Sequence, residues 1–329
     1  MALWLALPLF VASVAVTLAA AALFADRLDH IGPRVGLPEA LTGLVTALAA
    51  DGPEISSALI ALAQGEKRVS LGVVLGSNTF NLAAMIGVSA VVAGVVRIGR
   101  RALAIEGAVA LVATAVGAGV ITGVLSAGLA MALLAATLVP YLLLIGRGAS
   151  HAGPPMVRAA ASTDDPALWK PIALAALAVV LIVVGALGMV NAAVSIADRW
   201  GISAAIVGTL VLASLTSLPN AFTAIRLGVN HRGAALVSET LNSNTINLAV
   251  GVVLPALFLS VGGASGLVGF DLAWLAVMTS FALLLLARTR GAGRRHRPDR
   301  HVPGLRRRAR DRRLGEPREI LRGDVAGER

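Results

Sequence analysis

Leu75-Gly76-Ser77-Asn78-Thr79-Phe80-Asn81-Leu82-Ala83 returns later in the chain as Leu241-Asn242-Ser243-Asn244-Thr245-Ile246-Asn247-Leu248-Ala249. Upstream of each copy stands a proline break: Ala50-Asp51-Gly52-Pro53-Glu54 before the first, and Thr216-Ser217-Leu218-Pro219-Asn220 before the second. Pro53 pairs with Pro219, Glu54 with Asn220, Ser77 with Ser243 and Asn81 with Asn247, each pair 166 residues apart, so the copies align from Pro53 to Ala83 without a gap. Leu, Ser, Asn, Thr, Asn, Leu and Ala are identical within the second element, too much agreement for chance in an apolar chain. This is an internal duplication. What it duplicates is polar, set in apolar surroundings where polarity is costly and is usually kept for function.

Those surroundings are membrane-like. The 329 residues are 57% hydrophobic and 14% charged, and the mean hydropathy is +0.83. Several runs exceed the roughly 18 apolar residues that read as membrane-spanning. Cysteine is absent, which excludes disulfides, thiolate metal sites and thiol redox chemistry. The net charge of +10 belongs to one end: from Arg288 onward there are 15 Arg and 6 acids, whereas residues 1–287 hold 13 Lys/Arg and 12 acids. That tail is rich in Arg, Pro and Gly with no apolar period. It is expected to be disordered and to touch anionic lipid rather than nucleic acid, since no aromatic residues interleave its charges.

The apolar runs fall at 3–24, 36–62 (broken at Gly52-Pro53), 69–96, 102–121 and 124–146 in the first half. In the second they fall at 171–194, 201–227 (interrupted at Leu218-Pro219), 234–260 and 267–287. No Lys or Arg precedes the first, so it reads as a span and not as a signal peptide. The expected organisation is a first membrane repeat at 1–146, a cytoplasmic linker at 147–170 around Gly153-Pro154-Pro155, a second membrane repeat at 171–287 and a basic disordered tail at 288–329. The repeated breaks lie in the second and seventh spans. An odd offset makes the copies cross the membrane in opposite senses, a recurrent architecture of secondary transporters. The fold class is therefore all-α: a polytopic membrane protein of inverted five-helix repeats with about nine transmembrane helices. With the N-terminus outside, the inner loops and span ends hold Arg27, Arg34, Arg97, Arg100, Arg101, Arg147, Arg158, Lys170, Arg226 and Arg232, against Lys67, Arg68 and Arg199 outside. This bias orients the chain in a cell membrane with its tail in the cytoplasm.

Depth brings the repeated polar groups together. Glu54 lies about nine residues before the outer hairpin and Asn81 about twelve beyond it, roughly 14 and 18 Å at ~1.5 Å per residue, near the middle of a ~30 Å core. Asn220 and Asn247 sit at similar distances from their inner hairpin. Ser77 and Asn81 share a helix face, as do Ser243 and Asn247. What collects is oxygen, without His or Cys, which suits hard cations such as Ca²⁺ or Na⁺. Plainer roles compete. Asp51 and Glu54 also fit a capping box, and Ser217 a cap. Ser77 and Ser243 fit close helix packing, and Asn78 and Asn244 fit hydrogen bonding between helices. Glu239 is expected to face water near its span end, and Glu106 to complement a helix dipole. No nucleophile–base pair or cofactor loop is present, so neither an enzyme nor a cofactor is expected.

The Pro-Glu break followed by Gly76-Ser77-Asn78-Thr79-Phe80-Asn81, doubled with inversion, resembles the sodium/calcium exchanger family of the calcium/cation antiporters. The resemblance implies a five-plus-five helix plan, one more helix than the nine read here. It also implies alternating-access antiport of small inorganic cations (Ca²⁺, Na⁺ or H⁺) at one central site in the lipid membrane. Carried over, Glu54 and Asn81 match the family's ion-binding positions in the first repeat. In the second, Asn247 matches, and Asn220 stands where a Glu is expected. Ser77, Ser243, Thr216 and Ser217 match its hydroxyl ligands. The family's Gly-Thr-Ser before the first break is here Ala49-Ala50-Asp51. Asn220 removes a charge that would offset Ca²⁺, and Asp51 is the available substitute. A transporter of another solute and a non-transporting membrane scaffold are the alternative readings.

Overall fold

The computed structural model describes residues 3–35, 48–93, 98–149, 168–229, 233–262 and 266–292. The start of the second span at 36–47, most of the linker (150–167), the hairpin at 230–232 and the tail from 293 onward lie outside the described residues. Among the described residues all regular structure is helical.

The first repeat contains α1 (Leu3–Arg34), α2 (Gly52–Ala63), α3 (Lys67–Phe80), α4 (Arg100–Ile121) and α5 (Ala127–Ala149). The second contains α6 (Trp169–Trp200), α7 (Ala204–Thr216), α8 (Leu218–Val229), α9 (Gly233–Leu248) and α10 (Gly266–Ala292). Six described helices are long and apolar enough to cross a membrane, and α7 with α8, bent by 45° at their junction, makes a seventh. α2 is a short apolar helix of 12 residues, and α9 carries Glu239, Asn242, Asn244 and Asn247 in one run. The chain is a multi-pass helical membrane protein. Its large exposed side chains, such as Trp4, Val91, Phe222 and Phe270, are apolar and suited to lipid.

α1 and α6, the first helix of each repeat, form the most extensive helix pair. Both outrun the sequence reading. α1 is a single 32-residue helix that continues past the apolar run at 3–24 through the polar stretch from Asp26 to Arg34. There the His30 ring lies 2.7 Å from the Asp26 carbonyl one turn earlier, and Arg27 pairs with Asp26. α6 likewise runs past Asp198-Arg199 and stops only at Gly201, whose φ of 63° is left-handed and whose N–H bonds the Ala197 carbonyl. Charge alone does not end a helix. A residue that can turn back does.

The two second elements, α3 and α9, form the interior. Every residue of α3 from Val69 to Asn78 is buried. Gly72 and Gly76 let α3 lie directly on α7: a Cβ on Gly72 would stand 2.8 Å from the Ala205 carbonyl oxygen, and one on Gly76 would overlap the Thr209 backbone. Both elements widen just past their last repeated Asn, into π-helical turns at Asn81–Val88 and Ala249–Val253. A third π-helical turn, Val207–Leu212, lies within α7. Such turns free backbone groups and gather at functional sites.

Candidate cation site

The site forms where the broken spans meet α3 and α9. Asp51 sits at the turn before α2 and Glu54 in the first turn of that helix; they are 0% and 1% exposed. From the opposite repeat, α8 brings Asn220 between them. Its Nδ2 lies 2.7 Å from Asp51 Oδ1, 3.2 Å from Glu54 Oε1 and 3.4 Å from Ser243 Oγ. Ser243 Oγ donates to Asp51 Oδ1 at 2.5 Å. Asn81 Nδ2 donates to Ser243 Oγ and to Asn244 Oδ1, both at 3.1 Å.

Next to this network, Asn78 and Asn244 clasp each other. Asn78 Nδ2 donates to the Asn244 carbonyl at 3.0 Å, and Asn244 Nδ2 to the Asn78 carbonyl at 2.9 Å. The two are 166 residues apart, the repeat offset itself, so the pair lies on the two-fold relation between the repeats. They are hydrogen-bonding groups between helices, as the sequence suggested.

The rest of the site is short of partners. Asp51 Oδ2, Glu54 Oε2, Ser77 Oγ, Asn78 Oδ1, Asn81 Oδ1 and both amide atoms of Asn247 are enclosed, with no hydrogen-bond partner among the described residues. A buried polar atom left unpaired costs about 1–3 kcal/mol, so a cluster of them is stable only if something else occupies the space. Six of these seven atoms are oxygens. Ser217 is buried with its hydroxyl beside the Glu54 carboxyl group. Thr216 is buried too, but its hydroxyl donates to the Leu212 carbonyl of its own helix at 2.9 Å, away from the carboxylates.

Of the nine candidate residues, then, Asp51, Glu54, Asn81, Asn220 and Ser243 are joined in one hydrogen-bonded network. Ser77, Asn247 and Ser217 are buried outside it, and Thr216 is turned onto its own backbone. Three plainer readings fail. Asp51 occupies the cap position of α2 but makes no cap bond: its backbone is helical there, and Asn220 and Ser243 both bond its Oδ1. Glu106 does not serve a helix start: Ser238 Oγ lies 2.7 Å from each of its carboxylate oxygens. Glu239 does not simply face water, since its Oε2 is enclosed. The bond from Tyr141 to Asn242 Oδ1, 2.7 Å long, was not foreseen, and no repeat or motif signals it. A cavity of about 580 Å³, lined by Gln64, Glu66, Asn191, Val194 and Ser195, opens at the far end of α2 from the carboxylates. Among the described residues no three His, Cys, Asp or Glu side chains cluster as a metal centre. The site is two carboxylates completed by amides and hydroxyls.

Inverted helical repeats that meet at a buried cluster of carboxylates, amides and hydroxyls are a recurrent architecture of secondary transporters. The chain belongs to the sodium/calcium exchanger protein family, which it matches over residues 5–146 and 170–300, one stretch for each repeat. It is also similar to the protein of Alkalimonas amylolytica named antiporter CaxA, at 33% identity over 91 residues. That match covers 27% of this chain and 28% of the relative's length. Among solved structures, the sodium-calcium exchanger NCX_Mj, soaked with Na⁺ and Sr²⁺, superposes with a TM-score of 0.56 at 18% identity, covering 86% of this chain and 90% of that one. The H⁺/Ca²⁺ exchanger CAX superposes with a TM-score of 0.64 at 15% identity, covering 85% and 76%. Both likenesses are of fold.

Proposed function

We propose that the chain is a secondary active antiporter that exchanges Ca²⁺ or another hard cation for Na⁺ or H⁺ by alternating access. The cation is held by Asp51, Glu54, Ser77, Asn81, Ser217, Asn220, Ser243 and Asn247, while the Thr216 hydroxyl donates to carbonyls of its own helix. One observation carries the reading: two fully buried carboxylates from one repeat, bridged by an amide from the other, each with an oxygen left free. Two ionised carboxylates offset a divalent ion, and amide and hydroxyl oxygens fill out the six to eight ligands that Ca²⁺ prefers. The chain has Asn220 where the family pattern has Glu, and Asp51 returns the missing charge to the same cluster.

In the structure the Asn220 NH₂ group presents its positive edge to both carboxylates. Loading requires a half-turn of that amide, which replaces the donor by the Oδ1 acceptor and releases both carboxylates to the ion. Asn81 can change its face in the same way, because its Oδ1 has no described partner. Ca²⁺ as cargo is supported by the names of the relatives: one solved neighbour is a sodium-calcium exchanger and another an H⁺/Ca²⁺ exchanger. We further propose that residues 1–146 and 171–287 are the halves that move against each other. The linker at 147–170 and the tail from 288 then lie in the cytoplasm and the N-terminus outside, as the Lys/Arg bias requires.

The test is radiolabelled Ca²⁺ uptake into proteoliposomes under an imposed outward Na⁺ or H⁺ gradient. Gradient-driven uptake that Glu54→Gln abolishes is the expected result. Uptake unchanged by Glu54→Gln would sink the site, and folded protein that takes up no Ca²⁺ would reject calcium antiport.

A further inference from the structure

α9 carries a second polar set next to the central site, and the first repeat has no equivalent. The positions 166 residues before Ser238, Glu239 and Asn242 are Gly72, Val73 and Gly76. Those three are buried, and the two glycines are pressed onto the backbone of α7. In α9 the same places hold a hydroxyl, a carboxylate and an amide.

Two of the three are occupied. Ser238 is bonded to Glu106 on α4, and Asn242 to Tyr141 on α5, so α9 is tethered to both helices. Glu239 is not tethered in this way. Its Oε2 is enclosed and has no hydrogen-bond partner among the described residues. It precedes Ser243 by four residues and Asn247 by eight, so it shares their helix face, about 6 Å along the axis from Ser243. Ser243, one turn along that face, itself donates to Asp51 Oδ1. In the other direction the first residue of α9, Gly233, is about 9 Å away. Glu239 therefore stands between the buried centre and the hairpin end of α9, on the same helix face as the site residues of α9.

We infer that Glu239 is a staging carboxylate: a cation moving between the hairpin end of α9 and the central site is held there before it reaches Asp51 and Ser243. The inference rests on the antiport reading above. Oε2 offers the cation a lone pair in surroundings where charge is poorly screened, one helical turn from the serine that bonds Asp51. The arrangement is one-sided. On the other route, along α3, the matching residue is the buried Val73, so no carboxylate stands at the matching position, and Glu66 lies farther out at the start of α3.

One-sidedness supplies the test. Glu239→Gln is reconstituted in proteoliposomes of known orientation, and initial Ca²⁺ transport rates are measured from each face with the gradient reversed. The half-saturating Ca²⁺ concentration should rise roughly tenfold when Ca²⁺ is supplied from the face of the α9 hairpin, as expected for loss of a local steering charge, and stay unchanged from the opposite face. Glu239→Asp should recover most of the loss. An equal change from both faces, or none from either, overturns the inference. If the wild-type chain moves no cation, the antiport reading falls with it. If the wild type transports, Glu54→Gln is dead and Glu239→Gln matches the wild type from both faces, then only the staging role is rejected.

Discussion

Asn220 is a neutral residue between two acids, and both acids come from the other repeat. The charge of the centre is thus carried by Asp51 and Glu54 alone. Asp51→Asn should therefore weaken Ca²⁺ binding at least tenfold, about 1.4 kcal/mol, in equilibrium titration of the purified protein. The double change Asp51→Ser with Asn220→Glu moves one carboxylate across the site at constant charge and should recover most of the binding. Failure to recover would mean that the position of the charge matters more than its amount. The two acids also differ in how far they could be read from sequence. Glu54 was legible because a proline and a repeat flagged it. Asp51 was legible only as a substitute for the missing charge, because its spacing to Glu54 also fits a capping box and its hydrogen-bond partners, Asn220 and Ser243, lie 169 and 192 residues away. Thr216 shows the reverse: a motif match placed it among the ligands, while a bond to its own helix occupies its hydroxyl.

Elements hold these residues at the same depth through contacts that only small or doubly bonding side chains can make. The Asn78–Asn244 clasp joins α3 to α9 on the symmetry relation. Asn78→Ala should lower thermal stability by about 1–2 kcal/mol, the range for hydrogen bonds between membrane helices, and Asn244→Ala should do the same. A clearly unequal pair of losses in a melting assay would show that the two halves do not share the clasp evenly. Gly72→Val drives a side chain into the Ala205 carbonyl and should cost about 1–3 kcal/mol, seen as lost yield of folded protein. Apolar runs and proline breaks made most of these helices legible. Their ends were less so: α1 and α6 continue through charged residues because a helix tolerates charge where it leaves the bilayer. The π-helical turns were invisible, since one extra residue per turn leaves no mark on an apolar sequence.

At the scale of the molecule, two copies of one helical plan face each other in opposite senses. The 166-residue offset exposed this because each copy keeps its prolines and amides in register. The absence of cysteine makes the proposed orientation directly testable. Gln64→Cys, at the end of α2, should react with a membrane-impermeant thiol reagent added outside intact cells. His30→Cys, exposed near the end of α1, should react only after the membrane is opened. The opposite pattern would invert the assignment. The confinement of both acids to one repeat has a further consequence, for electrical behaviour. With both carboxylates ionised, a centre filled by Ca²⁺ is close to neutral, and an empty one bears about two negative charges. Voltage works on a charge at ~2.3 kcal/mol per 100 mV, so it acts weakly on the filled carrier and strongly on the empty or singly occupied one. Membrane potential should then act on a return stroke that carries fewer than two monovalent cations and leave the calcium stroke almost untouched.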